Sequence, residues 1–226
     1  MIISHDHICY QRRWRDAGQN RFNGAYYYSV EIVKNIIPRV KTNRNWVTVN
    51  IPFMNHEPQF YKCCADHSIV FIHNNLHPEN YDWLKRYNDL ILVCGVPSTC
   101  DKMRHVGTPV YLPLSVDVED VKKHKKTKRK ERAFVGRASK LYGFEPPEGT
   151  DIIAGLPRNE LLDKMAEYKE VYAVGRVAIE AKILGCDVLP YDSRYPDPGI
   201  WQILDNREAA EMLQKKLDEI DGGGDG

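Results

Sequence analysis

The stretch from Val171 to Pro190, VYAVGRVAIEAKILGCDVLP, decides the fold. Val171 to Val174 is apolar or aromatic and predicts a strand; Gly175 breaks the run. Val177 to Leu184 then has helical spacing, and Asp187 to Pro190 predicts a second strand. Strand, glycine turn, helix, strand is the unit from which parallel α/β sheets are built. Gly175 frees the backbone at the strand-to-helix turn, where amide groups at the helix N-terminus can face an anion. Glu180, in the first turns of that helix, then has two readings. It accepts hydrogen bonds from the ribose hydroxyls of a nucleotide whose diphosphate sits on the turn, or it is a surface acid favoured by the helix dipole.

Outward from this stretch the same scheme repeats. Upstream strands are expected at Ile2 to Ser4, Trp46 to Ile51, Ser68 to His73, Leu90 to Cys94 and Val110 to Leu114. Helical segments fall near Ala25 to Ile37, Gln59 to Ala65, Asn80 to Tyr87 and Ser98 to His105. Ser68 to His73 and Leu90 to Cys94 are nearly all apolar, as strands covered on both faces should be, which predicts a doubly wound parallel sheet. In the second half, strands at Ala133 to Gly136 and Asp151 to Ala154 join the two already named. Helices are expected at Arg158 to Tyr168 and Arg207 to Glu219.

Three segments carry a family resemblance. Tyr172 to Val188 resembles the E-G-F-G-x-x-x-x-E-A-x-A-x-G-x-P-V segment of retaining nucleotide-sugar glycosyltransferases with the GT-B fold. Ala133 to Gly143, AFVGRASKLYG, resembles the family's V-G-R-x-x-x-x-K-G. Asp89 to Asp117 is similar to the run that closes the family's first domain, A-D-x-V-I-x-x-S, a helix, then G-V-P-x-x-x-I-P-N-G-V-D. The three occur in the family's order and span about the second two thirds of the chain. Two positions depart from the pattern: Tyr172 stands where the family has the first Glu of E-x7-E, and Tyr142 where it has a phosphate-binding Lys.

The resemblance implies an α/β fold of two small Rossmann-like lobes with parallel sheets facing across a cleft. Residues 1–116 would form the acceptor-side lobe, 117–131 a basic linker, 132–220 the nucleotide-sugar lobe and 221–226 a disordered tail. It also implies transfer of a sugar, with retention, from a nucleoside diphosphate sugar, UDP- or GDP-linked, with no other cofactor and no metal. In that reading Gly24, Gly136, Tyr142, Tyr172, Gly175, Arg176 and Glu180 bind the donor. Arg137, with Lys140 or Arg176, stabilises the departing diphosphate, and His73 lies on the acceptor side. His73 also has a second reading, as a buried histidine bonded to backbone. His5, Asp6 and His7 have no further ligand at matching spacing and are not read as a metal site. Two alternatives stay open: transfer to a nucleic-acid base, and a nucleotide-sugar-binding relative without turnover, motivated by Tyr142 and Tyr172.

Composition bounds these expectations. The 226 residues are 42% hydrophobic and 28% charged, with a formal charge of +1, so the chain can bury a core and is not a general polyanion binder. Charge is concentrated at Lys122 to Lys130, KKHKKTKRK. That run is read either as a solvated, extended linker or as a contact for nucleic acid or an anionic surface. Cys9, Cys63, Cys64, Cys94, Cys100 and Cys186 lack metal-ligand spacing and read as reduced thiols, Cys94 and Cys186 as small core residues. No apolar run reaches the length of a membrane span, and the expected location is the cytoplasm.

Overall fold

A computed structural model describes residues 2–4, 24–49, 66–73, 78–136, 146–191, 193 and 195–222. The chain divides into two compact units. The first takes in β1 (Ile2–Ser4), Ala25–Pro113 and 207–222; the second takes in Gly24 and Leu114–Asn206. The expected division at 116/117 and 131/132 therefore differs in one large respect. The C-terminal helix, expected with the second lobe, belongs to the first unit.

In the first unit β1, β2 (Asn45–Val49), β3 (Ser68–Ile72), β4 (Ile91–Cys94) and β5 (Thr108–Tyr111) form a parallel sheet in sequence order. Its centre is dry: every residue of β3 and β4 is buried. One face, formed by Val47, Val49, Val70, Ile72, Leu92 and Cys94, packs into one cluster with Tyr81, Trp83 and Leu84 and with Cys100 and Met103. The first three lie on the 3-10 segment Pro78–Arg86, the last two on α2 (Pro97–Met103). The segment expected near Ala25 to Ile37 begins as α1 (Gly24–Glu31), widens into a π turn over Ile32–Ile36 and tightens to 3-10 over Ile37–Arg39. Pro38 lies in that last turn and has no N–H to continue an α ladder.

The second unit opens with α3 (Val118–Lys122), which the sequence reading assigned to an extended linker. Asp117 caps it, its side chain accepting from Asp120 N at 2.9 Å. Then follow β6 (Lys130–Val135), β7 (Asp151–Ile153), α4 (Arg158–Met165), β8 (Tyr168–Tyr172), α5 (Arg176–Ile183) and β9 (Asp187–Leu189). The sheet is parallel, in the order β7-β6-β8-β9. Tyr168, expected as the end of the helix, instead opens β8, pairing with Lys130 on β6. The helix α5 stops in a Schellman turn: Cys186 N bonds Ala181 O at 2.9 Å, Gly185 N bonds Lys182 O at 3.0 Å, and Gly185 takes φ 79°.

The last helix, α6 (Asn206–Gly222), runs past the expected end at Glu219, so Asp221 and Gly222 are helical where a disordered tail was expected. Ala209, Ala210, Leu213 and Leu217 form its buried stripe. Gln214 ties it to Lys41 in the first unit, its Oε1 accepting from Lys41 N at 2.6 Å, and Arg44 Nη2 pairs with Asp221 at 3.2 Å. Among the described residues no helix is long and apolar enough to cross a membrane.

The doubly wound order expected for the first sheet does not hold among its described strands, because each strand steps to the same side of the one before. Burial of both faces, the sequence signal, reports covering layers and not the direction of the steps. In the second sheet the order does reverse. From β6 the chain steps one way to β7, then back past β6 to β8 and on to β9. In a parallel sheet, right-handed crossovers in the two directions lie on opposite faces.

Candidate functional site

That reversal builds the site. In open α/β sheets the crevice lies outside the carboxyl ends of the two strands whose connections part. Here those strands are β6 and β8. The turns that follow them begin at Gly136 and lead to Gly175, the two glycines singled out in the sequence. Gly136 has φ 147° and its N donates to Ile153 O at 3.0 Å, carrying the β6–β7 ladder one residue further. A Cβ at Gly136 would come within 2.7 Å of the Tyr191 hydroxyl, which would have to shift, and the backbone angle itself favours glycine. Gly175, φ 63° and ψ −136°, precedes the first residue of α5, Arg176.

Aromatic rings pack around Gly136. Phe134 lies 4.7 Å from Tyr191 and 6.5 Å from Tyr172 between centroids, and Tyr191 meets Tyr195 edge-on at 5.2 Å. The Arg132 guanidinium stands 5.9 Å from the Tyr172 ring centroid. Tyr172 is thus a half-buried packing residue at the end of β8.

Glu180 is not a surface acid. It is 1% exposed, and Arg176 beside it is 5% exposed. Arg176 Nη2 lies 2.7 Å from Glu180 Oε1, and Arg158, from the first position of α4, reaches the same oxygen at 3.2 Å. Arg158 Nη1 also donates to Asp120 on α3 at 2.9 Å. This hydrogen bond, more than the nearby charge, holds the Asp120 carboxyl below the ordinary carboxylate pKa. Two arginines and two acids therefore join α3, α4 and α5. A helix buried nearly all round can carry a carboxylate only when it is paired in this way. Arg158 and Asp120 were not selected from the sequence; an arginine after Pro157 and an acid just before a basic run carry no local signal of each other.

Lys182, two residues beyond Glu180 on α5, donates to Pro198 O and Trp201 O, each at 2.7 Å, and so fastens the loop after β9 to the helix. In the first unit, His73 follows β3. Its Nε2 lies 3.1 Å from Ser29 Oγ and its ring meets Tyr28 edge-on at 5.7 Å. The side chain is therefore tied to α1, while its backbone N extends the ladder to Val49 O at 3.2 Å. Gly24 is the first residue of α1.

His5, Asp6, His7, Arg137, Lys140 and Tyr142 lie outside the described residues, as do Cys9, Cys63, Cys64 and the helix expected at Gln59 to Ala65.

The basic run is exposed at six of its nine residues and carries no helix or strand over 125–129, yet several of its cations are paired. Lys122 pairs with Glu119 at 2.7 Å, Lys123 with Asp120 at 3.4 Å, His124 and Lys126 with Asp163 at 3.1 and 3.3 Å, and Lys130 with Glu167 at 3.5 Å. Acids on α3, on α4 and just before β8 meet these cations once the chain has folded. Arg129 N and Lys130 N both donate to Glu167 O, which fixes the backbone there.

No family model, curated protein or solved structure matches this chain.

Proposed function

We propose that the chain is a glycosyltransferase that binds a nucleoside diphosphate sugar at the carboxyl ends of β6 and β8. The observation that carries this reading is the reversal of strand order between those strands, with a positive-φ glycine in the turn after each. The resemblance of the same two turns to donor-binding motifs supplies the chemistry. The diphosphate would meet backbone amides at Gly175 and the start of α5, where the helix dipole favours an anion. Arg137 and Lys140, in the segment after β6, would neutralise charge as the sugar–phosphate bond breaks.

Glu180 takes a changed role in this reading. Enclosed by Arg176 and Arg158, it holds Arg176 at the head of α5 and does not itself receive the ribose. No covalent nucleophile is assigned, and retention is carried by the resemblance alone.

A second reading, nucleotide-sugar binding without turnover, is favoured by the same enclosure of Glu180 and by the packing of Tyr172 against Phe134. One experiment separates the two. Thermal shift against UDP-, GDP- and ADP-sugars should reveal stabilisation by one nucleotide class, since a ligand of the folded state raises Tm by mass action. Hydrolysis of that donor, slowed in Arg137→Ala, supports transfer chemistry. Stabilisation with no hydrolysis and no transfer supports the binding module, and no stabilisation by any of the three overturns both.

A further inference from the structure

At the opposite, amino end of the second sheet a lysine and a cysteine are in contact. Lys128 Nζ lies 3.1 Å from Cys186 Sγ and donates to Ala166 O, also at 3.1 Å. Cys186 is 5% exposed, and its Sγ contacts Met165 O at 3.5 Å. Both residues are held from the backbone. Cys186 closes the Schellman turn of α5, and Lys128 directly precedes the two residues whose amides bond Glu167 O. The pair joins the connector before β6 to the turn before β9, positions 58 residues apart in sequence.

We propose that Lys128 and Cys186 form a site of oxidative modification, at which a peroxide drives formation of a covalent sulfur–nitrogen cross-link between the two side chains. The Cys186 thiolate attacks one peroxide oxygen; the O–O bond breaks, sulfur loses two electrons to become a sulfenic acid, and the other oxygen leaves as water. The neutral Lys128 amine then attacks that sulfur. The S–O bond breaks, an S–N bond forms, and the hydroxyl leaves with one amine proton as a second water. One thiol, one amine and one peroxide thus give one sulfenamide and two waters.

The geometry favours this outcome over further oxidation because the amine already stands beside the sulfur. Burial raises the Cys186 thiol above its ordinary pKa, against the opposing pull of the Lys128 charge. The reaction is therefore slow at neutral pH and accelerates in alkali, where both thiolate and free amine increase. Once formed, the link restricts the unfolded chain and stabilises the folded one.

The test treats the full chain with hydrogen peroxide in mildly alkaline buffer, alkylates the remaining thiols and maps tryptic peptides by mass spectrometry. The expected product joins the peptides bearing Lys128 and Cys186, is lighter than their sum by two hydrogens, is uncut after Lys128, and is released by dithiothreitol. The oxidised protein should also have the higher Tm. Lys128→Arg, which keeps charge and hydrogen bonds but has no nucleophilic amine, should fold, form no link, and carry Cys186 on to the sulfinic acid. Sulfinic or sulfonic Cys186 beside an intact Lys128 in the unmutated protein overturns the proposal. So does a Cys186 that stays reduced in protein whose methionines have been oxidised by the same treatment, or a linked peptide that retains an oxygen atom.

Discussion

At the scale of single residues, the second unit is governed by two kinds of position: a charge that had to be paired and a glycine that had to stay bare. Glu180 is the first kind. Replacing it by glutamine leaves Arg158 and Arg176 facing a neutral acceptor in a buried place. We expect a loss of about 2 kcal/mol, below the full cost of breaking a buried ion pair because the amide oxygen still accepts a hydrogen bond. The urea midpoint of Glu180→Gln measures it, and an unchanged midpoint would mean that the carboxylate is not needed to hold the arginines. Gly136 is the second kind. Gly136→Ala meets both a positive φ and the Tyr191 hydroxyl at 2.7 Å, whereas the Tyr191 ring carbons stand at an ordinary 3.5 Å. The expected cost is roughly 1 to 3 kcal/mol. Tyr191→Phe in the same chain should recover part of that loss, leaving the backbone share, and a double variant as unstable as the sum of the singles would refute the contact.

At the scale of elements, the Val171 to Pro190 stretch shows what local sequence specifies well. Strand, Gly175 turn and helix all appear within a residue or three of where spacing and glycine placed them, because apolar period and backbone freedom belong to neighbours in the chain. The connector of residues 117–131 shows the opposite. Its like charges argued for extension, yet α3 forms under the Asp117 cap, Lys122 and Lys123 pair with acids one turn back, and His124, Lys126 and Lys130 meet Asp163 and Glu167 from elsewhere in the unit. These pairs carry a pH signature. Hydrogen bonds from Arg158 to Asp120 and from His124 to Asp163 depress both carboxyl pKa values in the folded state. Their stabilisation is therefore fully present above the unfolded aspartate value of about 3.9 and is lost as pH falls through the lower folded values. Asp120 and Asp163 side chains are 37% and 48% exposed, so solvent screening limits each to a few tenths of a kcal/mol up to about 1. Urea midpoints between pH 6 and pH 3 should fall less steeply for Asp120→Asn than for the unmutated chain. Parallel slopes would show that the Arg158 bond does not form in solution.

At the scale of the whole molecule, the chain leaves the first unit after Pro113 and returns to it at Arg207. Within the second unit the outgoing and returning segments are paired: Val116 N bonds Leu204 O at 3.1 Å, Asn206 N bonds Val116 O at 3.2 Å, and Ser115 Oγ donates to Asn206 Oδ1 at 2.9 Å. The first unit thus requires a helix made from the end of the chain. Leu213 is fully buried on that helix, and Leu213→Ala should cost about 2 to 4 kcal/mol. A loss under about half a kcal/mol in urea unfolding would remove α6 from the first unit's core.

The sequence by itself determined most of the described strands, the helix after Gly175, the parallel class of both sheets and the two glycine turns. These follow from period, apolar runs and backbone freedom, which are properties of neighbours in the chain. Tertiary structure alone decided that the first sheet runs in order while the second reverses, and that α6 returns to the first unit. It also decided that Glu180 is enclosed by Arg176 and Arg158, and that Lys128 lies against Cys186. Each of these depends on which distant residue arrives at a given place, and a charge or a thiol carries no mark of its partner until packing brings the two together.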